Sequence, residues 1–207
     1  MGKRTDVLAA LLLGACAGPA SDTASEGDPC VEGMRRDEAF GGFDDVDAVR
    51  AAVQQACFPE LDGVEVVVVP LSSPSDTFVA SVDVTTLDAP GPERTYRLSA
   101  NPVLLQAPMP RAAAWAILAH ELTHVRDYVG MDADTLAAWA LDYASGPITA
   151  YERQTDEHAL ELGLAEGLKA FRLWLYDQLD DEAEAAKRRD YYTPDEIDAW
   201  VADHPPT

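Results

Sequence analysis

His120-Glu121-Leu122-Thr123-His124 places two imidazoles and one carboxylate within a single short segment. On a helix, side chains four residues apart stand one turn apart on the same face, so His120 and His124 can grip one cation. Glu121 then flanks the ion, where a general base acting on an activated water belongs, and zinc is the ion this donor set favours. Histidine occupies only 4 of the 207 positions. A shuffled chain of this composition carries the ordered pattern in roughly 0.5% of cases. The bland alternative is a pair of satisfied histidines on a helix beside an incidental Glu. Two imidazoles are too few for a catalytic zinc, which usually has three protein ligands and one open position. His158, Glu152, Glu157 and Glu161 are the candidates for the third.

The later segment Tyr151-Glu152-Arg153-Gln154-Thr155-Asp156 reads Glu-x-x-x-Asp, and no second copy of that pattern follows the first motif. His-Glu-x-x-His followed by Glu-x-x-x-Asp resembles the gluzincin metallopeptidases, including the compact ones called minigluzincins. The resemblance covers about Thr95 to Ala159. It implies a peptidase acting on a protein or peptide substrate, with zinc held by His120, His124 and Glu152. It further implies Glu121 as catalytic base and Asp156 as the partner that orients a zinc-binding histidine. It also implies that the strand Arg94–Ser99 edges the cleft and pairs with extended substrate. Helical geometry fits these assignments. Glu152 and Asp156 are one turn apart, and small Ala159 continues their face toward the motif helix. His158 lies about 240° around from Glu152, at roughly 100° per residue, and Glu157 also points off that face. Developing charge on a carbonyl oxygen needs a further donor; Tyr128, Tyr143 and Tyr151 are near in sequence, and nothing selects among them.

The surrounding pattern predicts the elements that hold these groups. Asp44–Cys57 has apolar residues at helical spacing and is stopped by Pro59. The β-branched run Val64–Val69, then Thr77–Thr85 and Arg94–Ser99, read as three strands. The motif helix is expected over 110–129, with Trp115, Leu118, Leu122, Val125 and Val129 on its core side and Gly130 ending it. A helix follows from Asp132 or Asp134 to Ser145-Gly146-Pro147. The chain from Ile148 to about Leu179 reads as one helix, weakened by Gly163 and Gly167, which permit close contact or a bend. A charged helix over Asp180–Arg189 and a short one opened by the capping pattern Thr193-Pro194-Asp195-Glu196 complete the chain. The expected class is α+β: a small sheet of three strands or more, with a mostly helical C-terminal half carrying both motifs.

Lys3 and Arg4, the apolar run Val7–Leu13 and the small residues after it read as an export signal too short to span a bilayer. Leu13-Gly14-Ala15-Cys16 resembles the lipobox of bacterial lipoproteins, which implies lipidation of Cys16; an ordinary signal cleaved near Ala17 is the alternative. The expected organisation is therefore a signal and lipidation site over 1–16, a tether over 17–29 and a zinc peptidase-like domain over 30–207. That places the protein in a bacterial cell envelope, on the periplasmic side of the outer membrane or at the cell surface, with membrane association through the N-terminal lipid alone. Cys30 and Cys57 then remain as an even pair in an oxidising compartment, the setting for a disulfide. The formal net charge of -22 leaves no basic stripe for a phosphate backbone, which argues against nucleic acid as a partner. Two other functions compete: a lipoprotein with a structural zinc on the same ligands, and a metal-free envelope scaffold. The second requires Trp174, Tyr176, Tyr191 and Tyr192 to form an exposed patch.

Overall fold

A computed structural model describes residues 27–36 and 38–205. The signal, Cys16 and nearly all of the expected tether lie outside those residues. Helix α1 (Pro29–Met34) is short, and α2 (Val46–Cys57) follows a turn of 3-10 helix. Cys30 in α1 and Cys57 at the end of α2 are joined as a disulfide. Three strands come next: β1 (Glu65–Pro70), β2 (Phe78–Val82) and β3 (Thr95–Ala100). The remainder is helical: α3 (Arg111–Val129), α4 (Ala133–Ser145), α5 (Thr149–Glu161), α6 (Ala165–Tyr176), α7 (Asp181–Asp190) and α8 (Pro194–Asp203). The class is α+β, with a small mixed sheet and a helical C-terminal half. No helix among the described residues is long and apolar enough to cross a membrane.

The sheet order is β1-β3-β2, with β1 parallel and β2 antiparallel to β3. This corrects the expectation for the strand near Arg94–Ser99. It is the central strand, its hydrogen bonds are taken up on both sides, and it offers no edge to a substrate. The edge on the motif-helix side is β2. Thr77 C=O accepts from Asn101 N–H, and Asp83 N–H donates to Thr95 C=O, so these positions bond inward to β3. By the alternation of an antiparallel ladder, Phe78, Ala80 and Val82 turn their backbone groups the other way.

Helix α3 runs between the sheet and the other helices, and it is buried almost continuously from Ala113 to Val125. Trp115, Leu118, Leu122 and Val125 are at most 1% exposed. Each such side chain removed from water stabilises the fold by about 1.5–3 kcal/mol, which fixes the rotation of α3 and therefore the direction of its histidines. The single long helix expected from Ile148 to Leu179 is in fact two. Gly163 adopts φ +77, a left-handed conformation that glycine enters without steric cost, and it ends α5. Gly167 in α6 lies so close to Ala112 and Ala116 of α3 that a side chain there would collide with both. The two glycines thus have separate tasks: one turns the chain, the other lets α6 lie against α3.

Candidate metal centre

Helix α3 presents the His120 and His124 rings edge to face, with centroids 4.9 Å apart. Helix α5 crosses so that Glu152 Oε2 lies 3.3 Å from His120 Nε2 and 3.5 Å from His124 Nε2. All three residues are buried, and they form the one group of its kind among the described residues that could hold a metal ion. A tetrahedral zinc with bonds of about 2.0–2.1 Å separates its ligand atoms by about 3.3–3.4 Å. The two carboxylate–imidazole spacings match that separation, and all three donor atoms lie within 4.8 Å of one another. The charges fit as well. Glu121, Glu152 and Asp156 are buried carboxylates, and Arg172 is the buried guanidinium beside them. A divalent cation bound by neutral imidazoles balances that sum.

Behind the ligands, His120 Nδ1 approaches Asp156 Oδ1 to 2.8 Å, though off the line of an ideal ring N–H hydrogen bond. Asp156 is fully buried and is itself held by Arg172 Nη2, at 2.7 and 2.9 Å to its two oxygens, and by the Tyr192 N–H at 2.9 Å. Burial alone opposes charge on Asp156, but Arg172 and then His120 outweigh it and keep its carboxyl below the usual range. Glu152 follows the same balance: burial raises it, while hydrogen bonds from His120 and His124 lower it far below normal. Burial likewise works against an imidazolium at His120, yet Asp156 and Glu152 lift that group to about 9.

Glu121 sits beside this group, and its Oε2 accepts the Ala80 N–H at 2.8 Å. The base is thus pinned to the outward edge of β2. Burial raises its carboxyl above the ordinary range, partly offset by His124 and His120. His120 and Glu121 line a cavity of about 30 Å3 together with Phe78, Ile117, Phe171 and Tyr191. The Tyr191 ring lies 5.9 Å from that of His120. His124 Nδ1 is 3.0 Å from Tyr151 Oη, and Tyr143 Oη donates to Glu152 Oε1 at 2.6 Å. Burial holds the phenols of Tyr143, Tyr151 and Tyr191 well above their usual range, so all three remain protonated.

The other sequence candidates lie elsewhere. His158 Nε2 meets Arg126 at 2.6 Å, and its Nδ1 is 3.4 Å from Glu161. Glu157 accepts from Tyr192 Oη at 2.7 Å. These residues line a polar groove of about 290 Å3 that does not include the ligand side chains. Sequence reasoning missed Arg172, the Ala80 N–H and the nearness of Tyr191. Arg172 did leave a trace, as the one charged residue on a face otherwise made by Leu168, Phe171 and Leu175. The other two depend on long-range packing and left none. Trp174 and Tyr176 are buried, and Tyr191 and Tyr192 are partly so, which removes the exposed aromatic patch required by a scaffold.

No protein-family model matches the chain, and no curated protein or solved structure does either.

Proposed function

We propose that the protein is a zinc-dependent hydrolase of peptide bonds, with His120, His124 and Glu152 as ligands and Glu121 as base. One observation carries the reading: three buried donor groups lie within 4.8 Å of one another, with Glu152 at 3.3 and 3.5 Å from the two imidazoles and a buried carboxylate alongside that is not among them. A structural zinc is usually closed by a fourth protein ligand. The group here has three, and its fourth neighbour, Glu121, is tied to β2 instead, which favours the catalytic reading over the structural one.

A zinc ion in this site supplies Lewis acidity, lowering the pKa of water and polarising a carbonyl. Glu121 takes a proton from the attacking water and returns it to the leaving amine as the carbon–nitrogen bond breaks. Asp156, anchored by Arg172, holds the His120 ring in its tautomer and orientation. The outward edge of β2 is where an extended peptide adds as a strand, replacing the Ala80 N–H contact to Glu121 with one to substrate. Tyr191, beside His120 and Glu121 in the cavity wall, provides the hydroxyl for the carbonyl oxygen as it gains charge. The chemistry also covers amides and esters, since water activation does not select the acyl group. The lipidated, exported form proposed for the N-terminus places the substrate in the cell envelope.

The test is metal content and turnover on a mixed peptide library, for the intact protein and for Glu121→Gln and Tyr191→Phe. All three should hold one equivalent of zinc. Turnover should fall about 10²–10⁴-fold in Glu121→Gln and about 10²–10³-fold in Tyr191→Phe. Carefully loaded protein that binds no zinc would sink the reading.

A further inference from the structure

Every ligand residue of the candidate centre has a hydrogen-bonding or ion-pair partner outside the ligand set. His120 has Asp156, His124 has the hydroxyl of Tyr151, and Glu152 has that of Tyr143. Two of these partners are tyrosines, and they stand on different elements: Tyr143 on α4 and Tyr151 on α5. Trp139, also on α4, joins them, with its ring 5.0 Å from that of Tyr143 and 5.1 Å from that of Tyr151. It also packs against Tyr128 of α3 at 4.9 Å.

Helix α4 is otherwise weakly held. Of its residues only Leu136 is buried, and Leu141 is 72% exposed. Its attachment therefore rests on Leu136, on the Trp139 contacts and on the Tyr143–Glu152 hydrogen bond. We propose that Tyr143 and Tyr151 position the metal ligands Glu152 and His124, so that metal occupancy and docking of α4 form one linked equilibrium.

The proposal rests on the metal-binding reading above, and two physical steps lead to it. A carboxylate with both oxygens free can chelate a cation through both. Tyr143 holds Oε1, so Oε2 alone faces the imidazoles and a coordination position is kept for water. At His124 the Tyr151 oxygen lies 3.0 Å from Nδ1, so that with Nε2 on an ion the Nδ1–H would donate to that oxygen and the ring would be held in place. Tyr143 reaches Glu152 only while α4 is docked. An ion that prefers the docked arrangement therefore holds α4 down, and docking strengthens ion binding by the same factor.

The experiment uses the full chain, stripped of metal and titrated with Zn2+ against a chelator of known affinity. Tyr143→Phe and Tyr151→Phe should bind about 10–100-fold more weakly than the intact protein. Tyr96→Phe, which removes a hydroxyl that donates to Gly91 C=O outside the centre, should stay within about twofold. With Co2+ in place of zinc, Tyr143→Phe should show the weaker visible absorption of a higher coordination number, as Glu152 binds through both oxygens. Amide exchange across 133–145 should slow on zinc binding in the intact protein and much less in Tyr143→Phe. Tight zinc binding with no slowing in 133–145 would overturn the linkage, and that measurement needs no variant to fold. Equal affinities and unchanged Co2+ spectra in both tyrosine variants would overturn the positioning role. An intact protein that binds no zinc fails the metal reading itself, which is a separate result.

Discussion

Asp156 and Arg172 form a fully buried ion pair whose two members have different partners to satisfy. The carboxylate also faces His120 and the Tyr192 N–H, and the guanidinium donates from Nε to Tyr192 C=O. The guanidinium is further covered by the Tyr191 ring, 4.7 Å away, and by that of Phe171, 5.4 Å away. Such pairs stabilise little in net, because desolvation offsets attraction, yet losing one member strands the other in a medium that cannot solvate it. Arg172→Leu should therefore cost about 3–5 kcal/mol, measured by urea unfolding of the metal-free protein. Asp156→Asn strands the Arg172 guanidinium in the same way and should cost a similar amount, while also loosening His120. A loss below about 1 kcal/mol for Arg172→Leu would mean that water reaches Asp156. Sequence spacing alone put Glu152 and Asp156 on one helical face and turned His158 away, and the structure has them so arranged. Arg172 was illegible as a partner, because no local pattern says which buried acid a lone arginine on an apolar face will meet.

The helices were the most readable elements, since their signals are local. Asp132 caps α4 at Thr135 N–H, Asp180 caps α7 at Ala183 N–H, and Thr193 with Glu196 forms the complete capping box of α8. Strand existence was legible from the β-branched runs, but strand order was not. Pairing β1 with β3 across the intervening β2 is a long-range choice, and it moved the open edge from β3 to β2. The break between α5 and α6 was masked by apolar residues that keep helical spacing on both sides of Gly163. That turn can be tested directly. An alanine at 163 must enter a left-handed conformation costing about 1–2 kcal/mol, and its methyl would meet Val31 Cγ2 at 3.0 Å. The entropy it removes from the unfolded chain returns about 0.4–1 kcal/mol. Gly163→Ala should thus destabilise by about 1 kcal/mol in thermal or urea unfolding. A gain in stability would show that the turn relaxes to a right-handed form.

Across the whole molecule, the disulfide ties the N-terminal helix to the body that holds the centre. Gly33 of α1 sits directly on the Trp115 ring of α3, and Cys30 beside it is bonded to Cys57 at the end of α2. The crosslink closes a sequence separation of 27 residues. Restricting an unfolded loop of that length stabilises the fold by about 3.5 kcal/mol at 25 °C on chain-entropy grounds, which is a large share of an ordinary domain's stability of about 5–15 kcal/mol. The polar partners of the ligand side chains are one another, Asp156, Tyr151 and Tyr143, none of them on α1 or α2, so the loss and the effect of bound metal should add rather than couple. The net charge of -22 makes absolute stability depend on salt, so both arms belong at one ionic strength. Urea unfolding of Cys30→Ala/Cys57→Ala should show about 3–4 kcal/mol less stability than the intact protein, with the same deficit when zinc is present. A deficit that vanishes on adding zinc would mean that α1 and the metal centre form one cooperative unit, with the ion rather than the crosslink holding α3 in place.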